Sequence, residues 1–447
     1  MRPLDRFRAW GTTGDQLQPR LSRLTMVAMT FAILNTWIAL AGTMGLAIPP
    51  GGSAAFLCGF VFCVLCNFAV VASLGELAAI WPTAGGQYRF VYALCTEKWK
   101  RIRSFLVGWI NIDGWLTLSS TQFISAASVI ASDGRNEVEA KILGRWNGVA
   151  LYWSILSVVI ISIVLLSMSS KTNAIYVFTN VNNETGWSDG IAWIFGLLQA
   201  ALSLIGFDAM PNPARDALRA MLCSIGVGGI TGTVFIVVIL FCLADPSTVM
   251  PTSSSRAAAT IMTLMLAICF IKGTNACTTS ASRLIFSMAR DKGFVFYNYF
   301  SHIHPTLNVP VRAVLLSFVF NLIFGLLYLG PAVAFNAFIF SCTIFLNVSY
   351  ALPVILLITV ETPFKLGERR GAFINWIAVI CVAITTVGNY VSAVIGIFTI
   401  LVITCWVICR KTFEGPEFDV IMGLQNAPTG NKRSPHPGQD EKIGAAA

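Results

Sequence analysis

Long apolar runs recur along almost the entire chain, and they constrain its fold more than any other feature. They fall at about 24–48, 54–80, 104–131, 149–168, 190–208, 221–243, 257–282, 311–329, 333–358, 374–388 and 390–409. A transmembrane helix needs about 20 mainly apolar residues, whereas a barrel strand needs about 9–11 and alternates. These runs are continuous, so the chain reads as an all-α polytopic membrane protein with about eleven recognisable spans. Charged residues make up 11% of the chain, against about 25% in an ordinary soluble domain. Mean hydropathy is +0.73, which agrees. The expected organisation is a cytosolic tail over 1–23, a membrane domain over 24–409, and a polar, disordered cytosolic tail over 410–447.

A net charge of +9 could suggest a nucleic-acid partner, but the basic residues sit in short loops between spans. That is where the positive-inside bias places them. The expected partners are therefore the lipid bilayer and a small molecule, with no nucleic acid. Cys63 and Cys66 form a C-x-x-C inside a span without a second ligand pair, so they read as small packing residues and no metal or cofactor is expected. Gly228 and Gly232, four apart, allow close helix packing in a membrane. The first run follows Arg20 and Arg23 and is too long for a cleaved signal, which makes it a retained anchor with a cytosolic N-terminus. Enzyme signals are missing: His302, His304 and His436 form no ligand cluster in a span, and no Walker A or G-x-S-x-G sequence occurs.

Loop charges also predict sides. Lys98 to Arg103, Arg215/Arg219, Arg283 to Arg312 and Lys365 to Arg370 belong to the cytosol, and 171–189 lies outside with a glycosylation sequon at Asn183. One conflict results. The runs 104–131 and 149–168 must both start in the cytosol, yet "SDGRNEVEAKILGRWNG" between them is too charged to hide a span.

Three stretches carry a resemblance. "SLGELAAIWPTAGGQY" (73–88) is similar to the motif after the second helix of the amino acid–polyamine–organocation superfamily. "VFTNVNNETGWSDGIAWIFGLLQAALSLIGFDA" (177–209) and "SRLIFSMARDKG" (282–293) resemble the fungal amino acid/choline branch, which includes GABA and choline permeases. The resemblance implies an inverted-repeat (5+5) fold of the amine-transporter type with two additional helices. Against that pattern the fourth helix is missing, which matches the conflict above. "GFDAMPNPARDA" also reaches Pro211 without the family's short acidic segment.

Such transporters bind substrate near the midplane, where the first and sixth helices are broken and half-helix ends face the ligand. The first-helix candidates are Asn35, Thr36, Trp37 and Gly42; the alternative is that Asn35 and Thr36 bond neighbouring helices while Trp37 packs. The sixth-helix candidates are Gly206 as a break, Phe207 as a cap and Asp208 as an acid for a substrate ammonium or a coupling proton; Asp208 could instead cap its helix end. Asp113 and Lys272 lie inside spans, where ionisable residues mark function, and could pair or serve coupling. Glu76, Pro82, Gly85, Gly86, Arg283 and Arg290 read as gate or structural motif residues, with Pro82 and the glycines turning the chain at the cytosolic surface. The reading is a secondary transporter of amino acids or small amines such as GABA or choline, coupled to protons, in a fungal plasma membrane. Alternatives are a carrier for a specialised amine or alkaloid, or a truncated non-transporting isoform or sensor.

Overall fold

A computed structural model describes residues 30–31, 34–81, 86–133, 150–168, 171–208, 217–242, 256–304, 310–326, 330–359, 368–386 and 391–416. Among them the chain is helical: α1 (Thr36–Ala47), α2 (Gly52–Ile80), α3 (Gln87–Leu94), α4 (Lys100–Asp133), α5 (Ala150–Met168), α6 (Ala174–Thr179) and α7 (Asp189–Leu202) form the first half. The second comprises α8 (Ala217–Cys242), α9 (Arg256–Arg290), α10 (Tyr297–Phe300), α11 (Val311–Gly325), α12 (Ala332–Thr359), α13 (Glu368–Thr385) and α14 (Val391–Cys409). Eleven of these coincide with the apolar runs, and α3, α6 and α10 are short connectors. By length and composition, the described stretches 52–80, 218–242, 260–290 and 333–359 could each cross a membrane unaided. Large apolar side chains on α5, α11 and α14 stay exposed, as a lipid-facing surface requires.

Two antiparallel pairs form the frame. In the first, α2 packs on α8, with Gly229 against Val64 and Gly232 against Phe60. In the second, α4 packs along α9: Gly108 lies against Met288, the Ser119 and Thr278 hydroxyls are 2.8 Å apart, and Gly273 faces Gln122. Small residues let these backbones approach, because a Cβ on Gly232 would lie 2.6 Å from Phe60 Cζ and one on Gly229 2.9 Å from Val64 Cγ1. Buried hydroxyls and amides tie α4 to α11, where Asn321 donates to Ser119 Oγ and accepts from Ser120 Oγ.

The molecule has two faces. One carries α3 and the basic start of α4, where Ser104 donates to the Tyr88 carbonyl. The other carries α6: Ala54 N–H donates to the Asn180 carbonyl, and Thr172 N–H to the Phe241 carbonyl at the end of α8. Helix α4 runs from the α3 face toward the α6 face. Helix α5 advances the same way, from Ser154 beside Trp37 to the turn that meets Phe241. The conflict read from the loop charges is therefore present in space, with two successive long helices pointing in one direction. The charged segment 134–149 lies outside the described residues, as do the two tails beyond residues 30 and 416.

Gly232→Val is expected to lower thermal stability by about 1–3 kcal/mol through overpacking at the α2–α8 contact. Gly396→Val on α14, where a Cβ meets nothing within 4 Å, should leave the melting curve in detergent unchanged.

Candidate functional site

Helix α1 is preceded by a break at Asn35, which adopts a left-handed conformation (φ 45°, ψ 37°). Asparagine tolerates that region better than most residues. Its side-chain amide donates to the carbonyl of Cys269 in α9 at 3.3 Å. Gly273, one turn further along α9, makes room for the junction: a Cβ there would lie 2.7 Å from Gln122 Oε1 and 3.5 Å from Asn35 Nδ2. The break, Gln122 of α4 and Gly273 of α9 thus converge at one point. Gln122 Oε1 is buried without a hydrogen-bond donor. Thr36 Oγ1 is equally buried and unpartnered, pressed on its own side against Gly228 of α8. Buried acceptors left open are unusual in native interiors and mark places where a donor is expected to arrive.

Trp37 is committed to packing, with its indole N–H donating to Ser154 Oγ at 2.9 Å and its ring edge-on to Phe235. Gly42 does not break the helix. It sits inside α1, where its missing side chain lets Phe270 of α9 come close, with a would-be Cβ 3.3 Å from Phe270 Cζ.

The second break follows α7. The chain unwinds from Ser203 to Asp208, with Gly206 at φ 90°, a value glycine takes without strain. The Gly206 N–H donates to the Tyr350 hydroxyl at 3.3 Å, and that hydroxyl donates to Asp208 Oδ1 at 2.6 Å. Gln87 Nε2 donates to Asp208 Oδ2 at 2.6 Å, and Asn111 in turn donates to Gln87 Oε1. Phe207 is fully buried with its ring centroid 4.9 Å from that of Tyr350. Both oxygens of Asp208 are therefore occupied by neutral donors that bind the break to α3, α4 and α12. In this conformation Asp208 locks helices together through both of its oxygens.

A buried polar network lies beneath this lock on the α3 face. Tyr88 donates to Asp291 Oδ2 at 2.7 Å and lies 2.8 Å from Ser287 Oγ. Arg89 Nη2 donates to Ser287 Oγ at 3.1 Å and stands 3.7 Å from Asp291 Oδ2. Burial pushes the Tyr88 phenol up to about 12, so it stays protonated as a donor. The segment after α14 packs alongside: Phe413 lies edge-on to Phe105, Lys292 pairs with Glu414 at 2.6 Å, and Arg101 donates to the Phe413 carbonyl.

The remaining candidates are dispersed. Asn375 of α13 donates to Glu76 at 3.3 Å, so Glu76 joins α2 to α13. Asp113 and Lys272 do not meet: Lys272 neighbours Gly273, which faces Gln122, nine residues along α4 from Asp113 and so about 13 Å away along the helix. Gly86 has φ 75°, and a Cβ there would lie 3.4 Å from Asn111 Nδ2, while Pro82 and Gly85 lie outside the described residues. Arg283 is exposed, and Arg290 reaches Asp291 at 3.5 Å. Asn183 closes its own turn, accepting from the Thr185 backbone N–H at 3.0 Å and hydroxyl at 2.7 Å and donating to the Trp187 carbonyl. Cys63 bonds the Leu197 carbonyl and Cys66 touches Cys381, which keeps both in helix packing. No group of three or more metal-ligating side chains occurs among the described residues. Sequence reasoning overlooked Gln87, Tyr88, Arg89, Asn111, Gln122, Asp291 and Tyr350. Three of them, Gln87, Tyr88 and Asp291, stand inside the motifs already quoted, but nothing in a linear motif says that its residues bond one another.

The sequence model of the amino acid permease family matches residues 21–183 and 155–409. The chain belongs to this family. The chain is thus a multi-pass membrane permease and not an enzyme. The two matches share residues 155–183, so the family pattern does not run along this chain as one unbroken path. That discontinuity falls at α5, where the parity conflict lies. The chain is similar to a choline transporter of Saccharomyces cerevisiae, 28% identical over 84% of this chain and 77% of the relative. It resembles the amino-acid permease BAT1 of Arabidopsis thaliana at 25% identity, over 91% of this chain and 95% of that protein. A swainsonine transporter of Arthroderma benhamiae is 24% identical over 89% of this chain and 92% of its own length. The alignment with BAT1 spans 491 positions, more than this permease has residues, so that relative carries segments absent here.

Two substitutions test the geometry. Tyr350→Phe strands Asp208 Oδ1 and the Gly206 N–H, and is expected to cost about 1–3 kcal/mol in thermal unfolding. Arg89→Leu leaves Asp291 only the more exposed Arg290 as a cation and takes a donor from Ser287, and is expected to cost about 1–3 kcal/mol in thermal unfolding.

Proposed function

We propose that the protein is a secondary active permease for a small amine or amino acid, of the size and charge of GABA or choline, driven by the proton gradient. Its single strongest support is the convergence of the Asn35 break, Gln122 and Gly273, where a buried acceptor stands open beside unwound backbone. The ammonium N–H of an amino acid or GABA, or the hydroxyl of choline, would supply the missing donor, while the Asp208 lock closes the α3 face below. A half-helix end with an open acceptor beside it suits a substrate that carries both charge types. In this reading the basic α3 face is cytosolic, Asn183 faces outward as a glycosylation site, and the membrane is the fungal plasma membrane.

A second reading rests on a specific observation. The parallel course of α4 and α5 removes one member of the first repeat, and alternating access depends on the two repeats matching. A chain altered in this way would act as a non-transporting isoform or sensor. A specialised amine or alkaloid as cargo would fit the same site as choline.

The test is uptake of labelled GABA, choline, putrescine and an amino-acid panel by yeast lacking its own permeases, with surface expression verified. Saturable uptake that rises as external pH falls, and drops at least about tenfold in Gln122→Leu, is the expected result. A surface-expressed chain that carries none of these compounds would establish the second reading instead.

A further inference from the structure

Four acidic side chains lie inside the packed helices: Glu76, Asp113, Asp208 and Asp291. Three of them are held by donors, from Asn375, from Tyr350 with Gln87, and from Tyr88 with Arg89. Asp113 differs. It is 3% exposed, its Oδ2 has no hydrogen-bond partner, and no described residue forms an ion pair with it. Its backbone carbonyl takes the Thr117 hydroxyl, and its neighbours Ile112, Trp115 and Leu116 belong to the apolar core, with Leu346 of α12 against Gly114.

On the elements packed against α4, Tyr88 and Arg89 of α3 face Asp291 of α9, Tyr350 of α12 holds Asp208, Cys277 of α9 faces Cys342 of α12, and Arg312 of α11 lies over Tyr299, while α9 also carries Lys272 and Arg283. Among the described residues, the Cys405 thiol of α14 lies close enough to Asp113 for the two to interact. A carboxylate there would be a buried charge with no ion-pair partner among the described residues, which is costly at membrane depth.

We propose that Asp113 is a proton-binding site, loaded in this conformation and emptied when α14 moves away from α4, and that it carries the coupling proton of the permease. The assignment rests on the permease reading above and adds the group that binds the driving ion. Two features favour it. Helix α14 packs chiefly on α4 and α12, so it can shift without dismantling the α2–α8 frame. Asn111, two residues before Asp113, bonds Gln87, which bonds Asp208. Ionisation of Asp113 admits water between α4 and α14, and a displacement of α4 strains the chain of bonds that locks the α7 break. No partner hydrogen bond has to break for Asp113 itself to gain or lose its proton, which sets it apart from the other three acids.

The test uses purified full-length protein in phospholipid vesicles. Infrared difference spectra of wild type against Asp113→Asn at neutral pH should show the carbonyl stretch of one protonated carboxyl lost in the variant. Labelled choline, GABA and putrescine are then offered with and without an inward proton gradient, and a trapped pH dye reports proton entry. The expected result is loss of the gradient's effect on uptake, and of substrate-dependent proton entry, in Asp113→Asn. If that variant does not fold, Asp113→Leu supplies the same comparison, since it removes the acid and restores an apolar contact. Absence of the protonated-carboxyl difference, or an undiminished response to the gradient in a folded variant, would overturn the proposal. If wild type moves none of the three probes, the permease reading fails, while the infrared comparison still decides whether Asp113 holds a proton.

Discussion

Unwound backbone inside a bilayer has no water to bond, so every break in a membrane helix must be closed by protein. The rest of this structure is arranged around meeting that demand twice. At the α7 break one phenol does most of it: Tyr350 accepts from the Gly206 N–H and donates to Asp208. The carboxylate then draws in Gln87, and through it Asn111, so a single unwound turn recruits α3, α4 and α12. At the α1 break Asn35 bonds the α9 carbonyl of Cys269, while Gln122 beside it remains an open acceptor. The two breaks thus differ: one is sealed by its partners, and the other keeps an open acceptor beside it.

The frame that holds these breaks depends on residues with little or no side chain. Gly232, Gly229, Gly108 and Gly273 stand where α2 meets α8 and α4 meets α9, and each would carry a Cβ within 3 Å of a neighbour. Between helices in lipid, close packing and polar bonds replace the hydrophobic drive that water supplies elsewhere. The buried hydroxyl and amide cluster of Ser119, Ser120, Thr278 and Asn321 adds the polar bonds at the centre of the same frame.

The parallel course of α4 and α5 is the feature that sets this permease apart from the plan of its family. Both helices advance toward the α6 face, and the two family matches overlap over 155–183. Between the long α9 and α13 the chain has two long helices, α11 and α12, whereas between α4 and α7 it has one, α5, among the described residues. Loop charge and helix direction are independent kinds of observation, one electrostatic and one geometric, and they agree on the place.

Much of the fold was legible in the chain because the bilayer imposes one simple rule, a length of apolar residues per crossing. The eleven runs and the parity conflict follow from local composition and charge, and the breaks near Asn35 and Gly206 from the resemblance of the chain to its family. The pairings were not legible. Asp208 reads as a ligand for an ammonium, yet its oxygens are filled by residues more than a hundred positions away in sequence, Gln87 and Tyr350. Asp113 and Lys272 read as a pair, yet the antiparallel register of α4 on α9 sets them on different levels. Gly42 reads as a hinge and serves instead as a point of close contact with Phe270. The sequence alone determined which segments enter the membrane, because hydrophobic transfer depends on each segment by itself. Only the tertiary structure decided which buried polar groups are satisfied and which stand open, because a hydrogen bond depends on two positions that helix packing alone brings together.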